Sequence, residues 1–466
     1  MKRYLLLFTA VIAASPACAQ AANDPFPNPI EATADAVVVD FVELASVPDI
    51  DGEPARMMLL TDEPGTRRMF VNDMRGPLYS VSYDGSTVRE YLDIDDSRWG
   101  VEVQPGGRER GFQSFAFHPQ FGQPGTPGFG KLYTWTDTDN LTPEPDFAPR
   151  GGGDSHDTVL LEWTARTPAA AAYDGGAPRE LARFQQPFGN HNAGQIAFDP
   201  TVAEGDSDYG LLYVGVADGG SGGDPLNLAQ DLGSGFGKIF RIDPLGSNSA
   251  NGEYGIPDDN PFVGDSGTLP EIYAYGVRNP QRFGWDPETG RMFMADIGQN
   301  IVEEVSPVTP GANLGWNDWE GSFRFISRSE VDLSDPRGDP DFTYPVAEYG
   351  QIDPLLQGSS AATGVHVHRS DDIPQLRDLL LFGDFPSGEI FYVSADDLPN
   401  GGQDAIRRVL LNDGGEAKTF LQIVQEKNRE QDRSPATRAD MRFGAGPDGQ
   451  LLLINKQDGT IRLLVG

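Results

Sequence analysis

An all-β fold, a six-bladed β-propeller with long loop insertions on one face, is what this 466-residue sequence predicts. Three observations carry that expectation. A short apolar strand, a polar or Gly-containing turn and a second alternating strand return along the whole chain. A phrase of aromatic or apolar residues ending in a Pro-containing turn recurs between those pairs. The 56 Gly and 37 Pro favour turns over helices.

The strand pairs come in order. Met69-Phe70-Val71-Asn72-Asp73 is followed by Leu78–Val81, then comes Lys131–Trp135, then Leu211–Gly215 with Lys238–Ile242. Arg291–Asp296, Leu380–Asp384 with Glu389–Val393, and Leu451–Asn455 with Thr460–Leu464 complete the series. Six copies at intervals of roughly 60 to 90 residues imply a radial array of four-stranded sheets. The second phrase appears at Ser114–Pro119, Gln195–Pro200, Arg282–Pro287 and Arg442–Gly449, each an expected inner strand ending at a central channel. Thr136–His156 and Asn317–Pro345 are long, acidic and rich in Pro and Gly, so they are expected as loops over one face.

At the N-terminus, Lys2-Arg3, the apolar run Tyr4–Ala14 and Ala17-Cys18-Ala19 have the form of a signal peptide over residues 1–19. Residues 20–35 are expected as a flexible segment and 36–466 as the propeller. Export to the periplasm or medium follows. Cleavage after Ala19 removes Cys18, the only cysteine, and with it any disulfide or thiolate site. Lipoprotein processing at Cys18 is the less favoured alternative. A net charge of −35 argues against nucleic acid or an anionic membrane as partner, and no later segment is apolar enough to span a bilayer. Association as a homodimer is left open.

Among five histidines, His191 is singled out by its place in Asn190-His191-Asn192-Ala193-Gly194, just before the strand-like Ile196-Ala197-Phe198, with Asp218 ending the next strand. An imidazole beside a carboxylate is a candidate general base. The adjacent Glu303 and Glu304 repel one another unless a cation lies among them. His366 and His368 share one strand face but lack an evident third metal ligand. Gly233–Lys238 has the wrong spacing for a phosphate loop, and no Gly-x-Ser-x-Gly elbow is present.

A series of ordered phrases then resembles the soluble quinoprotein glucose/sorbosone dehydrogenase family. They are Glu109-Arg110-Gly111, Gly189-Asn190-His191-Asn192, Val216-Ala217-Asp218-Gly219-Gly220, Gly237–Pro244, Glu271–Pro280, Asp296-Ile297-Gly298-Gln299 with Glu303-Glu304, and Asn313-Leu314-Gly315-Trp316. The resemblance covers nearly the whole chain beyond the leader and implies oxidation of the C1 hydroxyl of an aldose or related sugar to a lactone or acid. It further implies pyrroloquinoline quinone (PQQ) and calcium as cofactors.

By this resemblance the catalytic residues are His191 as base, Asp218 as its orienting acid and Arg278 as the cation that stabilises an oxyanion. Glu109, His191, Arg278 and Asn279 are implied at the cofactor, with Arg438 and Arg442, and less directly Arg369, as substitute cations. The carbonyls of Gly298 and Gln299 are implied to hold a catalytic calcium, and Glu304 with the Leu314 carbonyl a second, structural one. Three positions depart from the family pattern. Glu109 stands where glucose-oxidising members have glutamine, Asn190 where they have an acid, and Pro386-Ser387 where they have a basic residue before Gly388. With no haem attachment motif, electrons must pass to a separate acceptor. The rival readings are a non-catalytic propeller that binds carbohydrate or protein, and a calcium-dependent lactonase that uses His191 on water.

Overall fold

The computed structural model describes residues 23–153 and 156–466, so the signal-peptide and Cys18 readings lie outside the described residues. The described strands fall into successive antiparallel sets of four. The first is Met57–Glu63, Arg68–Asp73, Pro77–Ser82 and Val88–Asp93. The second is Phe112–Phe117, Lys131–Thr138, Asp157–Thr164 and Arg179–Gln185. Ala193–Phe198, Leu212–Val216, Lys238–Ile242 and Ile272–Tyr275 make the third. Arg282–Trp285, Met292–Asp296, Val302–Val308 and Ala347–Gly350 make the fourth.

The fifth set is Ala362–His368, Leu379–Asp384, Ile390–Ser394 and Arg407–Asp413. In the sixth, Arg442–Ala445, Leu451–Ile454 and Thr460–Val465 are completed by Val37–Ser46 from the other end of the chain. Parallel pairs also join Val37–Ser46 to Arg407–Asp413 and Met57–Glu63 to Arg442–Ala445. The fifth, sixth and first sets therefore run on as one sheet. The first strands of successive sets touch one another in a closed cycle, the sixth meeting the first.

The continuous apolar runs follow from burial on both faces. Alternate side chains of a strand point to opposite sides, so Leu380 and Phe382 pack toward the fourth set while Leu381 packs toward the sixth. Likewise Leu451 and Leu453 face the fifth set, and Leu452 and Ile454 the first. A separate buried cluster fills the space between each neighbouring pair of sets, all the way round. Each fully buried Leu or Phe contributes about 1.5–3 kcal/mol.

Several details differ from the sequence expectation. Within the segment expected to be flexible, Phe26 and Ile30 are buried, and the Ile30 N–H donates to Asp353 at 2.7 Å. The insert expected as loop over 317–345 carries a small sheet of its own, Trp319–Glu320, Phe323–Ser327 and Glu330–Asp332. A helix, Phe420–Glu430, also forms. Thr419 and Gln422 make a capping box at its start, and Phe420, Leu421, Ile423 and Val424 face the core.

His118, buried at the end of the second set's first strand, accepts the Gln120 N–H at Nδ1 (3.1 Å), and burial lowers its pKa from 6.5 to about 4. The folded state therefore holds fewer protons on this ring than the unfolded state, so stability falls as pH drops from about 6.5 toward about 4, by about 2 kcal/mol at about pH 5. His118→Asn keeps a side-chain acceptor for the same N–H. It is expected to flatten the pH dependence of urea unfolding between pH 7 and 5 by about that amount.

Candidate active site

In an antiparallel pair the start of one strand and the end of the next lie together. In every set, then, the residues just before the first strand and just after the second share one end. Glu109, His191, Arg278 and Asn279 precede first strands, while Asp218 and Asp296 end second strands. These residues, far apart in sequence, therefore share one end of the sheets.

Four sets use the carboxylate there for the same purpose: to accept a backbone N–H ahead of the first strand. Asp73 takes Arg56 N–H, Asp137 takes Gly111 N–H, Asp296 takes those of Arg278 and Asn279, and Asp384 takes Ala361 N–H, at 2.6–2.9 Å. The third set departs from this. Asp218 Oδ1 lies 2.9 Å from His191 Nδ1, and Oδ2 accepts the indole N–H of Trp316 at 2.9 Å. The Gly220 N–H adds a 2.8 Å bond. A carboxylate is acceptor-only, so Nδ1 carries the proton and Nε2 keeps the lone pair.

His191 adopts φ +52°, a left-handed conformation uncommon outside Gly, and its N–H donates to Glu109 Oε2 at 3.0 Å. Gly220 faces it at φ +97°, where a Cβ would strike the Asn190 carbonyl. Strain and close approach thus fix the ring against Asp218. His191 and Asp218 are 5% and 2% exposed, in the range where a charge-assisted bond keeps its strength.

Arg278 meets the same group through Trp316. Its guanidinium lies 5.6 Å from the Trp316 ring centre, Nη1 donates to the Ile297 carbonyl at 2.6 Å, and Nε is buried without an acceptor. Asn279 Oδ1 accepts from Gln281 at 2.9 Å. Phe325, from the small sheet in the insert, packs edge-on against Trp316 at 4.9 Å. Glu109 is half-buried. Burial opposes its ionisation, but His191, Arg278 and Lys456 together hold its carboxyl below the usual range.

The substitute cations divide. Arg442 and Arg438 lie 4.0 and 5.4 Å from the centre of the Phe385 ring, and Lys456 Nζ joins them at 5.2 Å. Arg369 does not. Asp286, Asp378 and Asp396 surround it at 2.7–2.9 Å, because it follows a first strand and so stands at the opposite end of the fifth set. His366 and His368 sit toward that end too, with His366 Nε2 3.3 Å from His368 Nδ1. Phe385 and Lys456 were missed from sequence, although Lys456 in Asn455-Lys456-Gln457-Asp458-Gly459 follows a second strand, as Asp218 does. That positional rule is the signal that finds it.

Around the implied calcium positions, Glu304 stands between Asp296 and Glu348 in directly paired register. Like charges opposed across strands repel. Burial first, then Asp296, Glu348, Glu320 and Glu303, raise the Glu304 pKa well above normal. Glu303 is satisfied by Gly298 N–H, Ala362 N–H and Gln351, whereas among the described residues Glu304 accepts only a long 3.4 Å bond from Ser306. A Cβ at Gly298 would collide with the Val302 carbonyl, so this bend admits only Gly. Gln299 Oε1 accepts the Gly223 N–H at 2.6 Å, and the Leu314 N–H donates to Tyr275. Among the described residues, no group of three or more His, Cys, Asp or Glu is disposed to hold a metal ion.

Fold and site together define an all-β protein with a histidine–carboxylate pair beside a fixed guanidinium. The Glucose / Sorbosone dehydrogenase family model matches residues 52–463, and the chain belongs to that family. It is 30% identical over 368 residues to the HIPL1 protein of Arabidopsis thaliana, covering 72% of this chain and 51% of that protein. To the aldose sugar dehydrogenase YliI of Escherichia coli it is 29% identical over 210 residues, covering 45% and 48%. The chain thus spans about half the length of these relatives. In fold it resembles the PQQ-bound form of aldose sugar dehydrogenase from Streptomyces coelicolor (TM-score 0.57, 20% identity, 91% and 96% coverage). It also resembles the apo-form of the soluble enzyme from E. coli (TM-score 0.59, 19% identity, 92% and 99% coverage). Among the described residues, no helix is long and apolar enough to cross a membrane.

Proposed function

We propose that this protein is an exported quinoprotein, a six-bladed propeller over residues 36–466, that oxidises the C1 hydroxyl of an aldose or related sugar to a lactone or acid. The observation that carries the reading is the set His191–Asp218–Trp316–Arg278, in which a base with one free nitrogen is tied through an indole to a guanidinium. The closed cycle of first strands supports six blades.

PQQ fits the residues present. Among the described residues the buried Nε atoms of Arg278, Arg282 and Arg442 lack acceptors, and Arg442 has Asp440 and Glu109 as its acidic neighbours. Arg278, Asn279, Arg438 and Arg442 would hold the cofactor, with Glu109 beside it. Calcium, a hard ion that takes oxygen ligands, would offset the repulsion among Asp296, Glu304 and Glu348, although these carboxylates do not themselves form a three-ligand group. The carbonyls of Gly298 and Gln299 would hold one ion, and Glu304 with the Leu314 carbonyl another. When bound, the quinone supplies the hydride acceptor and calcium the Lewis acid.

The chain's own residues do the rest. His191 Nε2 takes the hydroxyl proton, and Asp218 stabilises the imidazolium so formed. Trp316 and Gly220 N–H groups keep the Asp218 carboxylate turned to the ring. Arg278, fixed by Ile297 and Trp316, offers positive charge to an oxygen that becomes negative. Electrons then leave to a separate acceptor.

Relatedness to the Hedgehog-interacting protein of Homo sapiens, 27% identical over 226 residues, favours protein binding as a second reading. The test is sugar-dependent dye reduction by the apo-protein given PQQ and calcium, run beside lactone hydrolysis without quinone. Reduction that needs both additions is expected. Hydrolysis without quinone, or neither activity, would overturn the oxidoreductase reading.

A further inference from the structure

Phe385, in the turn after the second strand of the fifth set, is the hub of a buried cationic group. Arg442, Lys456 and Arg438 place their charges 4.0, 5.2 and 5.4 Å from its ring centre. Phe385, Arg442 and Lys456 are all buried. Cations over an aromatic face gain some attraction, but not enough to offset full loss of water.

Their polar partners are mostly neutral. Arg442 donates to the Met441 carbonyl and to Gln281 Oε1, both at 3.3 Å, and its Nε has no acceptor. Lys456 donates to the Arg108 carbonyl at 2.8 Å. Among the described residues, Arg438 alone of the three forms an ion pair, with Asp440 at 3.0 Å. Arg282 adds a second buried guanidinium, also with a bare Nε and, among the described residues, bonded only to the carbonyls of Gln281 and Met58. In a chain of net charge −35, this is a local excess of positive charge, four cations against Asp440 and Glu109.

Buried charges are ordinarily paired, so the excess calls for an anion. Guanidinium forks favour planar carboxylates held through two parallel bonds, and a lysine adds a point charge that needs no fixed orientation. The group also adjoins the reaction centre, because Glu109 interacts electrostatically with His191, Arg278, Lys456 and Arg442 alike.

We propose that Lys456, with Arg442 and Arg438 around Phe385, forms the clasp for the carboxylates of the cofactor. Lys456 of the sixth set supplies the cation that the Pro386-Ser387 turn of the fifth does not. This rests on the quinoprotein reading but is testable apart from turnover. Lys456→Met retains the packing over Phe385 and removes the charge, and Lys456→Arg restores charge in another shape.

The experiment measures PQQ affinity by fluorescence quenching with calcium present, for wild type and both variants, using PQQ and its trimethyl ester. Circular dichroism and thermal unfolding check that each variant is folded. Lys456→Met is expected to weaken PQQ binding about 10–100-fold, while Lys456→Arg recovers most of it. The ester should bind poorly to wild type and lose little further in Lys456→Met. Equal PQQ affinity in wild type and Lys456→Met overturns the clasp, even if the dye assay succeeds. Lys456-dependent binding without sugar-dependent reduction supports the clasp and overturns the oxidoreductase reading. No binding to wild type overturns both.

Discussion

His191→Gln is expected to lower sugar-dependent turnover about a thousandfold, about 4 kcal/mol of barrier, with PQQ affinity nearly unchanged. The substitution preserves volume and a side-chain amide able to donate to Asp218, so the 2.9 Å contact and the bonds from Trp316 and Gly220 can persist. What disappears is the basic lone pair on Nε2. Gln adopts φ +52° less readily than His, but the same N–H bond to Glu109 can hold it there. Steady-state kcat with a saturating dye, set beside the PQQ dissociation constant, checks this. Loss of kcat at constant cofactor affinity identifies a chemical role, whereas loss of both would indicate collapse of the loop.

Arg278→Ala is expected to cost about a hundred- to thousandfold in kcat, the usual range for removing one preorganised donor to a developing oxyanion. It is also expected to weaken PQQ binding, because the side chain has a fixed address and an unspent donor. Its Nη1 is committed to Ile297 and its face to Trp316, which leaves Nε, buried and unpaired. Arg278→Lys keeps the charge but not the fork, and should recover affinity more than rate. Measuring kcat, KM for sugar and PQQ affinity across the three proteins separates these effects. A purely structural arginine would instead lower thermal stability and leave the Lys variant no better than Ala.

The fold was legible because its code is local and repeated. Phe382 and Leu381 must face opposite neighbours, and that demand writes itself as an apolar run flanked by turns, again and again. The strand Lys238–Ile242 and the first strands Arg282–Trp285 and Arg442–Ala445 lie where the sequence places them. Long-range features were not legible. Val37–Ser46 pairs with Thr460–Val465 across the whole chain, and nothing in either segment names the other. The helix at Phe420–Glu430 carries its start signal in Thr419 and Gln422, but the recurring strand pattern drew no reading of that segment.

The site was legible to the extent that its residues sit in distinctive phrases. His191 and Asp218 do, and the structure brings them together. Trp316 and Lys456 are brought to the site by contacts made only after the sheets assemble, one by reaching across to Asp218 and the other by meeting Phe385 from the neighbouring set. Arg369 misled for the opposite reason. As a cation near the right strand it looked available, but it lies at the end where three aspartates claim it.

The most direct test of the account is a single anaerobic turnover. Wild-type protein loaded with PQQ and calcium is mixed with an aldose while the absorbance of the bound quinone is followed. Rapid loss of the quinone band in wild type, and its persistence in His191→Gln over the same time, is the predicted result. Equal bleaching in the two proteins, or none in wild type with any aldose, would contradict it.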